Sequence, residues 1–253
     1  MKKIFAVVAL SALVATTAFA AGAPRTGVVG SMHDINAVAG YTDDSIGRVC
    51  VFCHTPHNAQ SNALAPLWNH APSTVNLPAY AWASPANGSI AFNIGDPLIG
   101  PSRLCMACHD GVTAVDSHGT AASTPVGTTV MTSSYVDGLG NTAKRYIDDL
   151  TVTHPIGFLY SDAFSARGAA ELVPETAGFI NYPVTTAFDT NNRSGALTTK
   201  TIHDTLYGGM VTCASCHEVH NTVNAVPDAG HTYNYFLYAK EEGSAICLSC
   251  HVK

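Results

Sequence analysis

Apolar residues in this chain form one long run and are otherwise scattered in short bursts. Ile4 to Val14 is the run, preceded by Lys2 and Lys3 and followed by the small residues of Ala18-Phe19-Ala20. A basic start, an apolar stretch and a small-residue cleavage site predict a secretory signal over residues 1–20, too short in its strongly apolar part to span a bilayer comfortably. No later stretch reaches that length without charges, so the mature chain, residues 21–253, is expected to be exported as a single domain without an anchor.

Beyond the signal, neither helical nor strand periodicity is sustained. From Asn58 to Pro101 the residues Pro66, Pro72, Pro78, Pro85 and Pro97 forbid a long helix, leaving Trp68, Tyr80 and Trp82 as bulky groups in a loop. Thr113 to Thr212 is rich in Gly, Ser, Thr and Ala. Alternating pieces at Thr128–Thr132 and Ile180–Val184 are expected as small strands or hairpins, with turns at Asp137-Gly138 and Gly140-Asn141. Asp110-Gly111 reads as a helix stop. The pattern predicts a mostly irregular, coil-rich chain with a few short strands.

Cysteine spacing changes the picture. The pattern Cys-x-x-Cys-His occurs four times, at Cys50-Val51-Phe52-Cys53-His54, Cys105-Met106-Ala107-Cys108-His109, Cys213-Ala214-Ser215-Cys216-His217 and Cys247-Leu248-Ser249-Cys250-His251, and it uses all eight cysteines. Two thiols one helical turn apart add covalently to the vinyl groups of a haem, and the adjacent imidazole becomes the first axial ligand of its iron. Disulfides do not explain a histidine after the second cysteine in all four cases, and an all-thiolate zinc site has no use for it. Four haem c groups on short helices are therefore expected, bound through Cys50, Cys53, Cys105, Cys108, Cys213, Cys216, Cys247 and Cys250, with His54, His109, His217 and His251 as proximal ligands. No fixed period joins the motifs, which argues against a solenoid.

Charge narrows the partners. The formal net charge is −6, and it becomes two units more negative when Lys2 and Lys3 are removed. Haem propionates add to this, so nucleic acid is excluded as a partner. Arg48, Arg103, Lys144, Arg145, Arg167 and Arg193 make no cluster beyond one pair and suit propionate pairing or solvated surface.

Twelve histidines leave eight beyond the motifs, twice what a second axial ligand on every iron requires. His57 and His220 each stand three residues after a motif histidine, so each projects from the same side as its neighbour. Trans ligands approach opposite faces of one porphyrin, so His57 and His220 serve a haem other than that of their own motif. Such a Cys-x-x-Cys-His-x-x-His run packs haems into a contiguous stack. His33, followed by Asp34, and His154, fixed by Pro155, are the other distal candidates, with His203 as reserve. His70, His118 and His231 read as loop histidines, and Met32, Met131 and Met210 as apolar filler.

The order of His33-Asp34, the first motif with Thr55-Pro56-His57, the second with Asp110-Gly111, His154-Pro155, the third with His220 and the terminal fourth motif resembles that of exported multihaem c-type cytochromes of metal-reducing bacteria. It is most similar to tetrahaem OmcE-type subunits of extracellular cytochrome filaments. That resemblance implies bis-histidine ligation, little regular structure, a chain wrapped around a stack of four haems, and head-to-tail homopolymers in which one histidine reaches a neighbouring subunit. On this basis His57 is expected to ligate the His217 haem of an adjacent copy. Within a subunit the expected pairs are His33 with His54, His154 with His109, and His220 with His251.

The function expected is electron transfer along a filament to extracellular acceptors, supplied by redox partner proteins, with no catalytic residue. Two other classes use the same motifs. A periplasmic tetrahaem shuttle would be a monomer, and a multihaem reductase would keep one iron with an open axial position.

Overall fold

The computed structural model describes residues 27–57, 59–60, 64–75, 77, 83–84, 88–89, 94, 96–119, 125–132, 134–136, 142–150, 153–178, 201–220, 235–239 and 241–253. The signal expected over 1–20, Tyr80, Trp82, the turns at 137–141, the strand expected at 180–184, and His231 lie outside these residues. Among the described residues no helix is long and apolar enough to cross a membrane.

The described residues hold three α-helices: α1 (Pro101–His109), α2 (Tyr160–Arg167) and α3 (Ala245–Leu248). Pro101 opens α1 where its missing N–H costs nothing. Gly100, at φ 58°, precedes it because a side chain there would strike the Tyr207 ring. Asp110 closes the helix: its Oδ1 accepts from the N–H of Val112 (2.9 Å) and Thr113 (2.8 Å), and its Oδ2 from Ser73 Oγ (2.8 Å). Gly111, at φ 72°, then turns the chain away.

Among the described residues strands occur only as antiparallel pairs: β1 (Ala83–Ser84) with β2 (Gly88–Ser89), β3 (His118–Gly119) with β4 (Pro125–Val126), β5 (Ser134–Val136) with β6 (Thr142–Lys144), and β7 (Phe158–Leu159) with β8 (Met210–Val211). The last pair is the long-range one, registering Phe158 against Val211. It brings the His154-Pro155 segment beside the entrance to the third motif. The alternation at Thr128–Thr132 yields one isolated bridge, Ala114 to Val130, rather than a strand. Asp116 explains this, since its Oδ1 takes the Thr129 N–H (2.8 Å) that a ladder would have used.

The larger core cluster includes Leu98, Met106, Leu150, Phe158, Ile202 and Tyr238, with the Cys213 and Cys250 side chains packed against it. Met106 lies between the two cysteines of the second motif and is fully buried. A smaller cluster of Ile35, Val51 and Phe52 seats the first motif. Both cores are therefore built partly from the residues between motif cysteines, which ties the fold to the attachment points.

Candidate functional site

Each Cys-x-x-Cys-His run is one helical turn. The Cys50 carbonyl accepts from the N–H of Cys53 (3.2 Å) and His54 (2.8 Å), Cys213 from Cys216 (3.3 Å) and His217 (3.1 Å), and Cys247 from Cys250 (3.1 Å) and His251 (2.9 Å). The second motif forms the end of α1. Such a turn places both thiols and the imidazole on one side.

A second strand of chain then clamps the histidine. Isolated antiparallel bridges join His54 to Trp68, His217 to Leu237 and His251 to Leu172. In each, the carbonyl of the second cysteine accepts from the residue after the bridge partner: Cys53 from Asn69 (2.8 Å), Cys216 from Tyr238 (3.0 Å) and Cys250 from Val173 (2.9 Å). Two residues before the partner, a carbonyl takes the imidazole Nδ1. His54 Nδ1 lies 2.7 Å from Pro66 O, and His217 Nδ1 lies 2.7 Å from Tyr235 O. His109 is held likewise, its Nδ1 2.7 Å from Arg145 O and its own carbonyl accepting from Ile147 N–H at 2.7 Å.

A carbonyl only accepts, so Nδ1 carries the proton in all three rings and Nε2 keeps its lone pair. This is the arrangement by which a protein orients an imidazole toward a metal. Strain marks the same device. Leu67 (φ 57°) and Phe236 (φ 58°) occupy equivalent left-handed positions, unusual for such bulky residues. There the turn directs two successive carbonyls at the motif: Pro66 to the ring and Leu67 to the Thr55 N–H (2.8 Å), then Tyr235 to the ring and Phe236 to the Glu218 N–H (2.9 Å). Sequence reading missed these clamps, because backbone carbonyl acceptors carry no residue-type signature.

Three imidazole pairs face each other. Ring centroids lie 5.9 Å apart for His33 and His109, 6.4 Å for His54 and His220, and 6.2 Å for His154 and His251. An iron between two imidazoles, about 2 Å from each nitrogen with each ring centre about 1.1 Å further on, sets the centroids about 6.2 Å apart. The angles between ring planes, 44°, 29° and 69°, differ freely because each ring rotates about its own bond to the metal. The residues present thus fit haem iron. Among the described residues, His217 is the motif histidine with no second imidazole at that separation.

These pairs differ from the pairs expected. His33 stands against His109 rather than His54, His154 against His251 rather than His109, and His220 against His54 rather than His251. Long-range packing decides: Ile35 is used against Val51 and Phe52, while the Leu172–His251 bridge brings the end of the chain to the residues after α2. Asp34 does not orient His33, since its Oδ2 accepts from Gly30 N–H at 2.9 Å. His57 is exposed, its carbonyl accepting from Thr55 Oγ1 at 2.7 Å. His203 is exposed near Glu175, 3.6 Å away. His70 and His118 are buried with Nε2 already engaged, by Phe52 O (2.6 Å) and Asp44 Oδ1 (3.0 Å).

Burial sets the electrostatics. It pushes His33 down to about 3, reinforced by His109, His217 and His220, and it also lowers His109, His217 and His251. These rings are neutral at pH 7, as metal ligation requires. None of the eight cysteines is in a disulfide. The neighbouring Cys105 thiol holds Cys213 down to about 7. Burial, then Cys250, pushes Cys216 up to about 12, and Cys53 acts in the same sense on Cys108. The thiols of successive motifs therefore lie near enough to influence one another: first with second, second with third, third with fourth. A zinc site needs several such atoms converging on one point, and among the described residues no three His, Cys, Asp or Glu side chains do so.

No protein-family model matches the chain, and a search of curated proteins returns no match.

Proposed function

We propose that this chain is an exported electron-transfer protein carrying four haem c groups, and that it acts as the repeating subunit of an extracellular filament. The observation that carries the reading is the combination of four Cys-x-x-Cys-His turns with three imidazole pairs at iron-spanning separation. When bound, each haem supplies a one-electron iron couple whose potential two nitrogen ligands keep low. The cysteine pairs hold the cofactor covalently, and His54, His109, His217 and His251 are the proximal ligands. His220, His33 and His154 complete the His54, His109 and His251 sites respectively.

His57 completes the His217 site of an adjacent copy, which makes the subunit a head-to-tail homopolymer. Its exposure supports this role, as does the absence of an opposed ring at His217 among the described residues. Redox partner proteins and extracellular acceptors take electrons in and out, and no residue is assigned a catalytic role. Intact mass of the exported protein tests the cofactor: the polypeptide plus four haems is expected, and a bare polypeptide contradicts the proposal. Electron micrographs test assembly, filaments being expected and discrete monomer-sized particles favouring a shuttle.

A further inference from the structure

Trp68 is the bridge partner of His54 and one of two tryptophans in the chain. The residue is 9 % exposed, and its indole ring stands at 85° to the His54 imidazole, centroids 6.1 Å apart. Backbone bonds fix it there from both sides: Trp68 O accepts from Gln60 N–H (2.8 Å), and the next residue, Asn69, donates its N–H to Cys53 O (2.8 Å). Yet indole Nε1, which only donates, has no hydrogen-bond partner among the described residues. Buried donors are rarely left so, and a clamp this rigid does not let the ring turn to water.

We infer that Trp68 Nε1–H donates to a propionate carboxylate of the haem attached at Cys50 and Cys53. The inference rests on the proposed haem reading and adds to it a binding residue for the cofactor's acid group. Haem c offers strong acceptors only at its two propionates, and a carboxylate is the acceptor a buried N–H binds best. A donor on that carboxylate disperses negative charge near the iron. Removing it leaves the charge to stabilise the ferric state, so the potential of that one haem falls.

The test uses the four-haem protein. Ultraviolet resonance Raman spectra of the unaltered protein are expected to show one strongly hydrogen-bonded indole, lost in Trp68→Phe and kept in Trp82→Phe. A potentiometric titration of Trp68→Phe, its four haems verified by intact mass, is expected to move one midpoint downward and leave the other three in place. Four unmoved midpoints, or a Trp68 signal typical of an unbonded indole, overturn the assignment while leaving the haem reading intact. A chain with no covalent haem overturns both.

Discussion

Two kinds of imidazole site stand side by side in this molecule. At His54, His109 and His251 a second ring from the same chain lies across at 6.4, 5.9 and 6.2 Å, whereas His217 has a proximal clamp of the same design and no such ring among the described residues. His217 is held as firmly as the others, its Nδ1 on Tyr235 O at 2.7 Å, so the difference lies wholly on the distal side. On the proposed reading, folding closes three sites and leaves one for assembly, the asymmetry a homopolymer would need, because a subunit with every site closed would have no ligand to exchange.

The sharpest way to break the contrast is to delete the third motif's attachment. In Cys213→Ser/Cys216→Ser the turn whose thiols feel both the second and the fourth motifs would lose the proposed haem. Intact mass is expected to fall by one haem, and soluble yield to drop severely. The next pair of variants separates closing by folding from closing by assembly. His220→Ala is expected to convert one haem to high spin while filaments persist, and His57→Ala to convert one haem to high spin while filaments vanish; spectra and micrographs together read the outcome. Identical behaviour of the two would erase the distinction.

Smaller effects sharpen it further. Met106→Ala empties a fully buried position in the second motif, and a loss of about 2–5 kcal/mol in subunit stability is expected by denaturant titration. His57 is remote from that change in role, so filament morphology under native conditions should not alter. The smallest effect concerns acid. The Arg48 side chain, bonded to Asp44 at 2.6 Å, holds the Asp44 carboxyl well below the ordinary carboxylate range against the opposing push of burial, with His118 adding a further bond. A depressed folded-state value stabilises the fold above the unfolded pKa of about 3.9 and loses that contribution as pH falls below it. Asp44→Asn is expected to flatten the acid limb of a stability profile below about pH 4, with little change in its shape above that.

Legibility from sequence followed the range of the interactions. The attachment pattern is local, five residues from Cys50 to His54, so the motifs could be read directly. The logic that His220 cannot face the His217 haem was also local, and the structure places it opposite His54. The other distal candidates were paired by nearness along the chain, and the ring contacts group them differently. His33 looked close to His54, yet the Ile35 contact to Val51 and Phe52 leaves its ring against His109. His154 lies against His251 where the isolated bridge from Leu172 to His251 returns the end of the chain, a single pair too short to leave a pattern. The αL carbonyl clamps at Leu67 and Phe236 were invisible because backbone strain is not written in residue type.

The spin states of the four irons test the central claim most directly. Electron paramagnetic resonance of intact filaments is expected to show four low-spin haems per chain, and the same protein dispersed to single subunits three low-spin and one high-spin. A dispersed subunit that keeps four low-spin haems, or an exported chain with no haem signal at all, would contradict the account.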